Sequence, residues 1–440
     1  MKQTLFKLAG LSIFLLACNI SATFREESTQ VPPPPKAIQP DTEPTSSADV
    51  EALADQSSTK WDLWSGGETM LRGANIAQGM VTLEIDGPTF KGPGPVGPPH
   101  TQADFDRLAS LGANYVSISG PGIFSVEPPF EVLSEVVAYY DDVLAMIESA
   151  DMFATIGFRS GPGRSEWGLC CDGEDWAQPY LNDSIWEDLE TQTAWSAMWG
   201  FMAERYKDNP VVVGYLLMVE PNSAAIHFDV YEAGDFFPEY AGTSYDWNSF
   251  YPEIVQAIRS VDRQTPILVG GMNFSSVAWL PYLEPVDAER IVYVVDQYAP
   301  FVYTHQDEQD GFTYPGNFDL DYDGQADDFG PEWLETLFSP MDEFTKTTGA
   351  PITIDEYGVV RWTPDGAAFL DDQMALFEEG GMNYAIWEWA SSWDEYNQEV
   401  NAFNFRFGPD PTNTQDTPND LQDILISYWS RNTLRPSNIN

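Results

Sequence analysis

The 440-residue chain is predicted to be an α/β protein folded as a (β/α)8 TIM barrel in a single domain. Eight short apolar runs recur after residue 60, helix-length amphipathic stretches separate them, and the runs lack polar alternation. Strands of that kind are buried on both faces, as in a parallel sheet covered by helices. Eight units in a chain of this length favour closure into a barrel; an open doubly wound sheet is the alternative.

The predicted strands are Met70–Ile76, Tyr115–Ile118, Phe153–Phe158, Val211–Val219, Ile267–Gly270, Ile291–Val295, Ile352–Ile354 and Tyr384–Trp387. The predicted helices, placed by 3.6-residue periodicity, are Gln102–Leu111, Val132–Ser149, Ile185–Tyr206, Trp247–Val261, Glu332–Thr347 and Ala367–Glu379. Ahead of them, Lys2 and Lys7 flank the start of an apolar run from Leu8 to Ala17, too short for a bilayer span and shaped like an export signal. It ends in Leu15-Leu16-Ala17-Cys18, similar to a bacterial lipobox, so residues 1–17 are expected to be a lipoprotein signal peptide and Cys18 the lipidated N-terminus, with an ordinary signal peptide as the alternative. Residues 18–60 are rich in Pro, Ser and Thr and read as a tether, stiffened by Pro32–Pro35. Residues 61–440 are expected to form the barrel domain. The implied location is the cell envelope, with membrane contact only through the lipid.

Composition removes several functions. A formal charge of −49 leaves no basic footprint for nucleic acid or anionic lipid. Three cysteines exclude a disulfide scaffold, and adjacent Cys170 and Cys171 rarely meet the geometry of a bridge. His100, His227 and His305 are too scattered for a zinc site. A monomer is expected.

Active sites of barrels lie past the C-terminal ends of the strands. Glu220 follows the fourth apolar run and Glu356 the seventh. A carboxylate there is costly unless paired or solvated in a cleft. Two such groups on opposite sides of a glycosidic bond supply the acid and the nucleophile or base of glycoside hydrolysis; two rim salt bridges are the plainer reading.

Leu71-Arg72-Gly73-Ala74-Asn75, Val219-Glu220-Pro221-Asn222, Gln297 to Gln306, Tyr314-Pro315-Gly316, Pro351 to Gly358 and Ile386-Trp387-Glu388-Trp389 resemble, in the same order, glycoside hydrolase family 5, the cellulase family. The resemblance spans about Trp61 to Arg431. It implies a retaining mechanism with Glu220 as acid/base and Glu356 as nucleophile, Tyr298 beside the nucleophile, and Trp387 beneath the sugar. It also implies no required cofactor and a carbohydrate substrate, a β-glucan or β-mannan. The chain departs from the family pattern where Val219 replaces an Asn, Ser117 an Arg, Arg159 a His and Asp296 a His. Arg159, Asn222 and Asn273 are candidates to replace the missing contact to the sugar 2-hydroxyl. Retention would place the two carboxyls about 5 to 5.5 Å apart. Tyr298 and a nearby Arg are expected to hold Glu356 anionic while a less polar setting keeps Glu220 protonated.

Rim aromatics Trp167, Trp176, Trp279, Trp362, Trp389 and Trp393, with Phe301 and Tyr303, are candidate sugar platforms. Among them Trp389 is assigned to the substrate with Tyr298, Trp387, Arg159, Asn222 and Asp296. The segments Ser160–Asp183 and Ala224–Asp246 are candidate cleft walls. Asp319, Asp321, Asp323 and Asp327 begin like a calcium loop, although Gly330 stands where an EF-hand has its bidentate Glu; a solvated acidic loop is the alternative to structural Ca2+. Two other functions stay open: a surface lipoprotein that binds carbohydrate without turnover, and a glycosidase of glycolipids or small β-glycosides.

Overall fold

Eight parallel strands close on themselves: β1 (Arg72–Ile76), β2 (Tyr115–Gly120), β3 (Phe153–Phe158), β4 (Val212–Leu216), β5 (Ile267–Gly270), β6 (Ile291–Gln297), β7 (Ile352–Tyr357) and β8 (Asn383–Ile386). Neighbours in sequence are neighbours in the sheet, and β8 pairs with β1 to seal the barrel. This computed structural model describes residues 60–77, 99–165, 178–390 and 402–439. The expected signal peptide, Cys18, the rest of the tether, Cys170, Cys171, Trp167, Trp176 and Trp393 lie outside the described residues. Lys60, assigned to the tether by composition, is instead anchored to the barrel: its Nζ donates to the Lys207 carbonyl and to Thr265 Oγ1, both at 3.2 Å.

Among the described residues, seven helices of nine residues or more follow strands: α1 (Gln102–Ser110), α2 (Ser134–Ser149), α3 (Leu189–Tyr206), α4 (Trp247–Arg259), α5 (Pro331–Thr348), α6 (Gly366–Glu379) and α7 (Asp420–Trp429). The first six were legible as apolar periodicity; α7 was not singled out, although Leu421, Leu425, Tyr428 and Trp429 mark its buried face. After β5 there is no long helix among the described residues. The short turn Met272–Ser275 and the 3-10 segment Val277–Tyr282 stand there instead. An additional ribbon, Gly316–Phe318 against Asp327–Phe329, projects between β6 and α5. No helix of the described residues is long and apolar enough to cross a membrane.

The core has two shells. Inside the barrel, Leu71, Tyr115, Phe153, Val213, Leu268, Val292 and Ala385 pack together, with Trp64 closing the end opposite the strand C-termini. Trp64 Nε1 donates to the Val213 carbonyl at 2.9 Å, so the plug is held by a hydrogen bond as well as by burial. A larger shell between strands and helices is dominated by aromatics such as Phe158, Trp195, Trp199 and Trp247. Closure is tight where β1 meets β2: a Cβ on Gly73 would sit 1.7 Å from the Tyr115 carbonyl oxygen, so only glycine permits that approach.

The fourth strand is shorter than its apolar run. It ends at Leu216, because beyond it the chain changes partner: Leu217 N–H donates to Leu268 of β5 and Val219 N–H to Phe158 of β3. Glu220 therefore stands on a turn rather than on the strand.

Candidate active site

Glu356 lies within β7, near its C-terminal end, and is 3% exposed. The strand is bulged: Val295 and Asp296 of β6 pair with Ile354 and Glu356, skipping Asp355, and on the other side Tyr384 and Ile386 pair with Ile354 and Tyr357. One extra residue in β7 breaks the strict in-and-out alternation, which is how a bulge re-aims a side chain. Asp355 uses that freedom to reach across the barrel to β2, where Ser117 Oγ donates to its Oδ1 at 2.9 Å. The adjacent Glu356 accepts from the Tyr298 hydroxyl at 3.0 Å through Oε2. Its own N–H donates to Asp296 Oδ1, also at 3.0 Å.

Glu220 takes a left-handed backbone with φ 51°, a conformation that costs a non-glycine residue energy and needs surrounding support. Arg164 supplies it. Its guanidinium donates to the carbonyls of Val219 at 2.6 Å and Glu220 at 2.8 Å, and reaches Asn222 Oδ1 at 3.5 Å. Arg164 is carried by a tight turn in which Gly161 and Gly163 have positive φ. The Phe274 N–H, from the turn after β5, donates to the Pro221 carbonyl and ties the next rim segment to this one. Glu220 itself is partly exposed.

The electrostatics differ from the expectation. Burial, then the charge of Glu220, push the Glu356 carboxyl well above the usual range; Arg159 and the Tyr298 hydroxyl oppose this, as expected of them, without prevailing. Asp296 is likewise pushed up, by burial and by the charges of Glu356, Asp355 and Glu220. Burial raises Asp355 to about 6, with Ser117 and Tyr115 acting against it. The reason is dielectric: four acidic groups share a site in which Glu356 and Asp296 are almost out of water, so each ionisation makes the next harder.

Arg159, past the end of β3, donates to Ser119 Oγ at 3.3 Å, and its guanidinium carbon lies 5.3 Å from the Trp387 ring centroid. Arg159 thus meets the Trp387 ring and also acts on the charge of Glu356. Asn222 is 1% exposed and its Nδ2 is buried without a hydrogen-bond partner. The Asn273 Oδ1 is in the same condition. Val219 packs into the inner core.

Several sequence expectations need correction. Trp389 is fully buried, with Arg406 stacked over its ring at 4.1 Å, so it is a packing residue and not a sugar platform. Trp279 and Tyr303 are also buried, each with its polar atom bonded to a backbone carbonyl. Phe301 is 47% exposed and stacks on His305, which burial holds neutral, with its proton affinity lowered to about 3. In the acidic loop, Asp319, Asp321 and Asp327 each bring a carboxylate oxygen within 4.8 Å of the others. Asp323 does not join them: its two oxygens accept from Gln325 N and Nε2. Sequence reading missed Arg164, for which no motif exists, and Asp355, whose signal was a charged residue between Ile354 and Glu356 in a buried strand.

A family model for cellulase (glycosyl hydrolase family 5) matches residues 77–392. Endoglucanase C of Acetivibrio thermocellus is 22% identical over 331 residues, 68% of this chain and 87% of that protein. Two solved structures of Thermotoga maritima Cel5A share the fold. A mutant form in complex with cellobiose has a TM-score of 0.56 at 20% identity, covering 81% of this chain and 96% of that one. The other, in complex with mannotriose, has a TM-score of 0.56 at 19% identity, covering 81% and 97%.

Because Arg164 holds two carbonyls of the Glu220 turn from within the core, Arg164→Met is expected to lower stability by about 2 kcal/mol or more, the cost of leaving buried acceptors unpaired. Urea unfolding measures it. A midpoint equal to the parent's would show that the turn does not need the guanidinium.

Proposed function

The chain belongs to glycosyl hydrolase family 5, the cellulase family, and is a glycoside hydrolase of β-glycosidic bonds; from that footing we propose that it is a retaining enzyme of β-glucan or β-mannan polysaccharides, with Glu356 as nucleophile and Glu220 as acid/base. Glu356 attacks the anomeric carbon while Glu220 delivers its proton to the departing glycosidic oxygen. Water then attacks the glycosyl–Glu356 ester, giving its proton to Glu220 and releasing the carboxylate. The observation that carries the reading is the Tyr298 hydroxyl on Glu356 at 3.0 Å, in a site where Glu220 and Glu356 act on one another electrostatically. Two carboxyls that share one site are what an acid and a nucleophile require.

Arg159 and Trp387 supply a cation and a flat apolar face beside Glu356, and Asn222 and Asn273 have polar atoms left over for sugar hydroxyls. Glucan and mannan stay together as the substrate class, since barrels similar to this one hold cellobiose in one structure and mannotriose in another.

Reducing-sugar release from a panel of β-glucans, β-mannans and xylans tests the assignment. Glu356→Ala is expected to lower turnover by about a thousandfold or more while ligand binding persists. The first product should keep the β-configuration by NMR; an inverted product would remove the nucleophile role from Glu356.

Two further features belong to the proposal. The chain is an exported monomer held at the cell envelope through a lipid on Cys18: Cys18→Ser is expected to move the protein from the membrane fraction to the soluble one, sedimenting as a monomer. Retention of the variant in membranes would end the tether idea. Asp319, Asp321 and Asp327 hold a structural, non-catalytic Ca2+: millimolar calcium should raise the melting temperature and a chelator should reverse it, because a ion bound only by the native state stabilises it. An unchanged melting temperature would leave a solvated loop.

A further inference from the structure

The segment that carries Glu356 is fastened from three directions by groups outside the reacting pair. The Asp355 carbonyl accepts from Asn75 Nδ2 of β1 at 2.5 Å. The Glu356 N–H is taken by Asp296 of β6. The Asp355 carboxyl is reached from the far side of the barrel by a chain of hydroxyls: Tyr115 Oη and Thr155 Oγ1 share a hydrogen bond of 2.7 Å, Thr155 Oγ1 donates to Ser117 Oγ at 3.2 Å, and Ser117 Oγ donates to Asp355 Oδ1. Asp355 is 1% exposed, and its second oxygen, Oδ2, is buried with no hydrogen-bond partner. A half-satisfied carboxyl inside a barrel is expensive. An apolar residue would fill an inner position at less cost, and the interior around it, from Leu71 to Ala385, is otherwise mostly apolar.

We propose that Asp355 is a positioning residue for the reaction: through Ser117, Thr155 and Tyr115 it anchors the bulge that aims Glu356, and it sets a second buried carboxyl directly beside that group. The inference rests on Glu356 being the nucleophile. The groups that face this carboxyl are Asn75 of β1, Tyr115 and Ser117 of β2, Thr155 of β3 with Arg159 beyond its end, Asp296 of β6 and Glu356 of β7, with Glu220 across the site after β4. Arg159 is the cation among them that favours the Glu356 anion.

Ser117 and Tyr115 stabilise the Asp355 anion and leave that group titrating near 6, whereas Glu356 is pushed well above its usual range by burial, by Glu220 and by Asp355 itself. The charge of Asp355, once formed, is one of the causes that hold back the ionisation of Glu356. Neutralising Asp355 while keeping its shape lets Glu356 ionise at lower pH. The same group also leaves a mark on stability. Its folded-state proton affinity lies above the ordinary value of 3.8, so the stability it contributes is complete below that pH and is lost as pH rises through about 6.

The experiment is the pH profile of kcat/KM for the parent and Asp355→Asn on whichever β-glycan the parent cleaves, with melting temperature followed from pH 4 to 7. In Asp355→Asn the acidic limb is expected to move down by about half a pH unit or more. The loss of melting temperature between the ends of that pH range should also be smaller than in the parent. An acidic limb that stays in place, whatever happens to kcat, would overturn the proposal, since a purely structural role lowers rate without moving the limb. Should Asp355→Asn not fold, Ser117→Ala decides. Without the donor Asp355 keeps its proton to higher pH, and the limb should move in the same direction by less; an unmoved limb again overturns the idea. Glu356→Ala run in parallel separates the two failures. If it retains parental turnover, the nucleophile assignment has failed; if it is inactive while the limb of Asp355→Asn is unchanged, only the role of Asp355 has.

Discussion

Four carboxyl groups, on Glu220, Asp296, Asp355 and Glu356, act on one another at the C-terminal end of the barrel, the last three of them buried. Like charges brought together out of solvent cannot all ionise, so protons are retained and each group titrates as part of a set. Arg159, the Tyr298 hydroxyl and the Ser117–Thr155–Tyr115 chain decide which members carry the charge. For a reaction that needs one neutral and one ionised carboxyl, that distribution is the chemistry.

The scaffold exists to hold this distribution still. Trp64 closes one end of the barrel, Gly73 lets β1 and β2 approach, and the bulge in β7 turns Asp355 inward while Glu356 meets Tyr298. On the opposite side, Arg164 supports the left-handed turn of Glu220 from beneath. Neither acidic side chain rests on regular strand geometry. Both stand where the backbone departs from it, and in each case side chains from other strands or loops make the departure affordable.

The substitutions relative to the family pattern make sense together rather than one at a time. Ser117, in place of an Arg, lies inside the barrel and serves Asp355. Arg159, in place of a His, brings a cation to Trp387 and Glu356 from β3. Asp296, in place of a second His, receives the Glu356 N–H. A positive group thus acts on Glu356 from the end of β3, and an additional acid, Asp296, stands against its backbone. The result is a site whose members can be recognised by position yet whose proton balance differs from what their positions suggested.

Barrel class, strand number and the two glutamates were readable from residue order alone, because apolar periodicity records which faces are buried and a carboxylate at the end of an apolar strand stands out against it. Tyr298 and Trp387 were readable as members of a resembling motif set, and Arg159 as a departure from it. What residue order could not contain was the meeting of distant groups. The bulge at Asp355 depends on how β6 and β8 pair on either side, the support of Glu220 on an arginine 56 positions away, and the burial of Trp389 on Arg406 arriving from a later loop. The elevated proton affinity of Glu356 arises only when burial and the charges of Glu220 and Asp355 act in one place. Electrostatic energy depends on distance and on exclusion of water, and both are properties of the folded chain and not of its order.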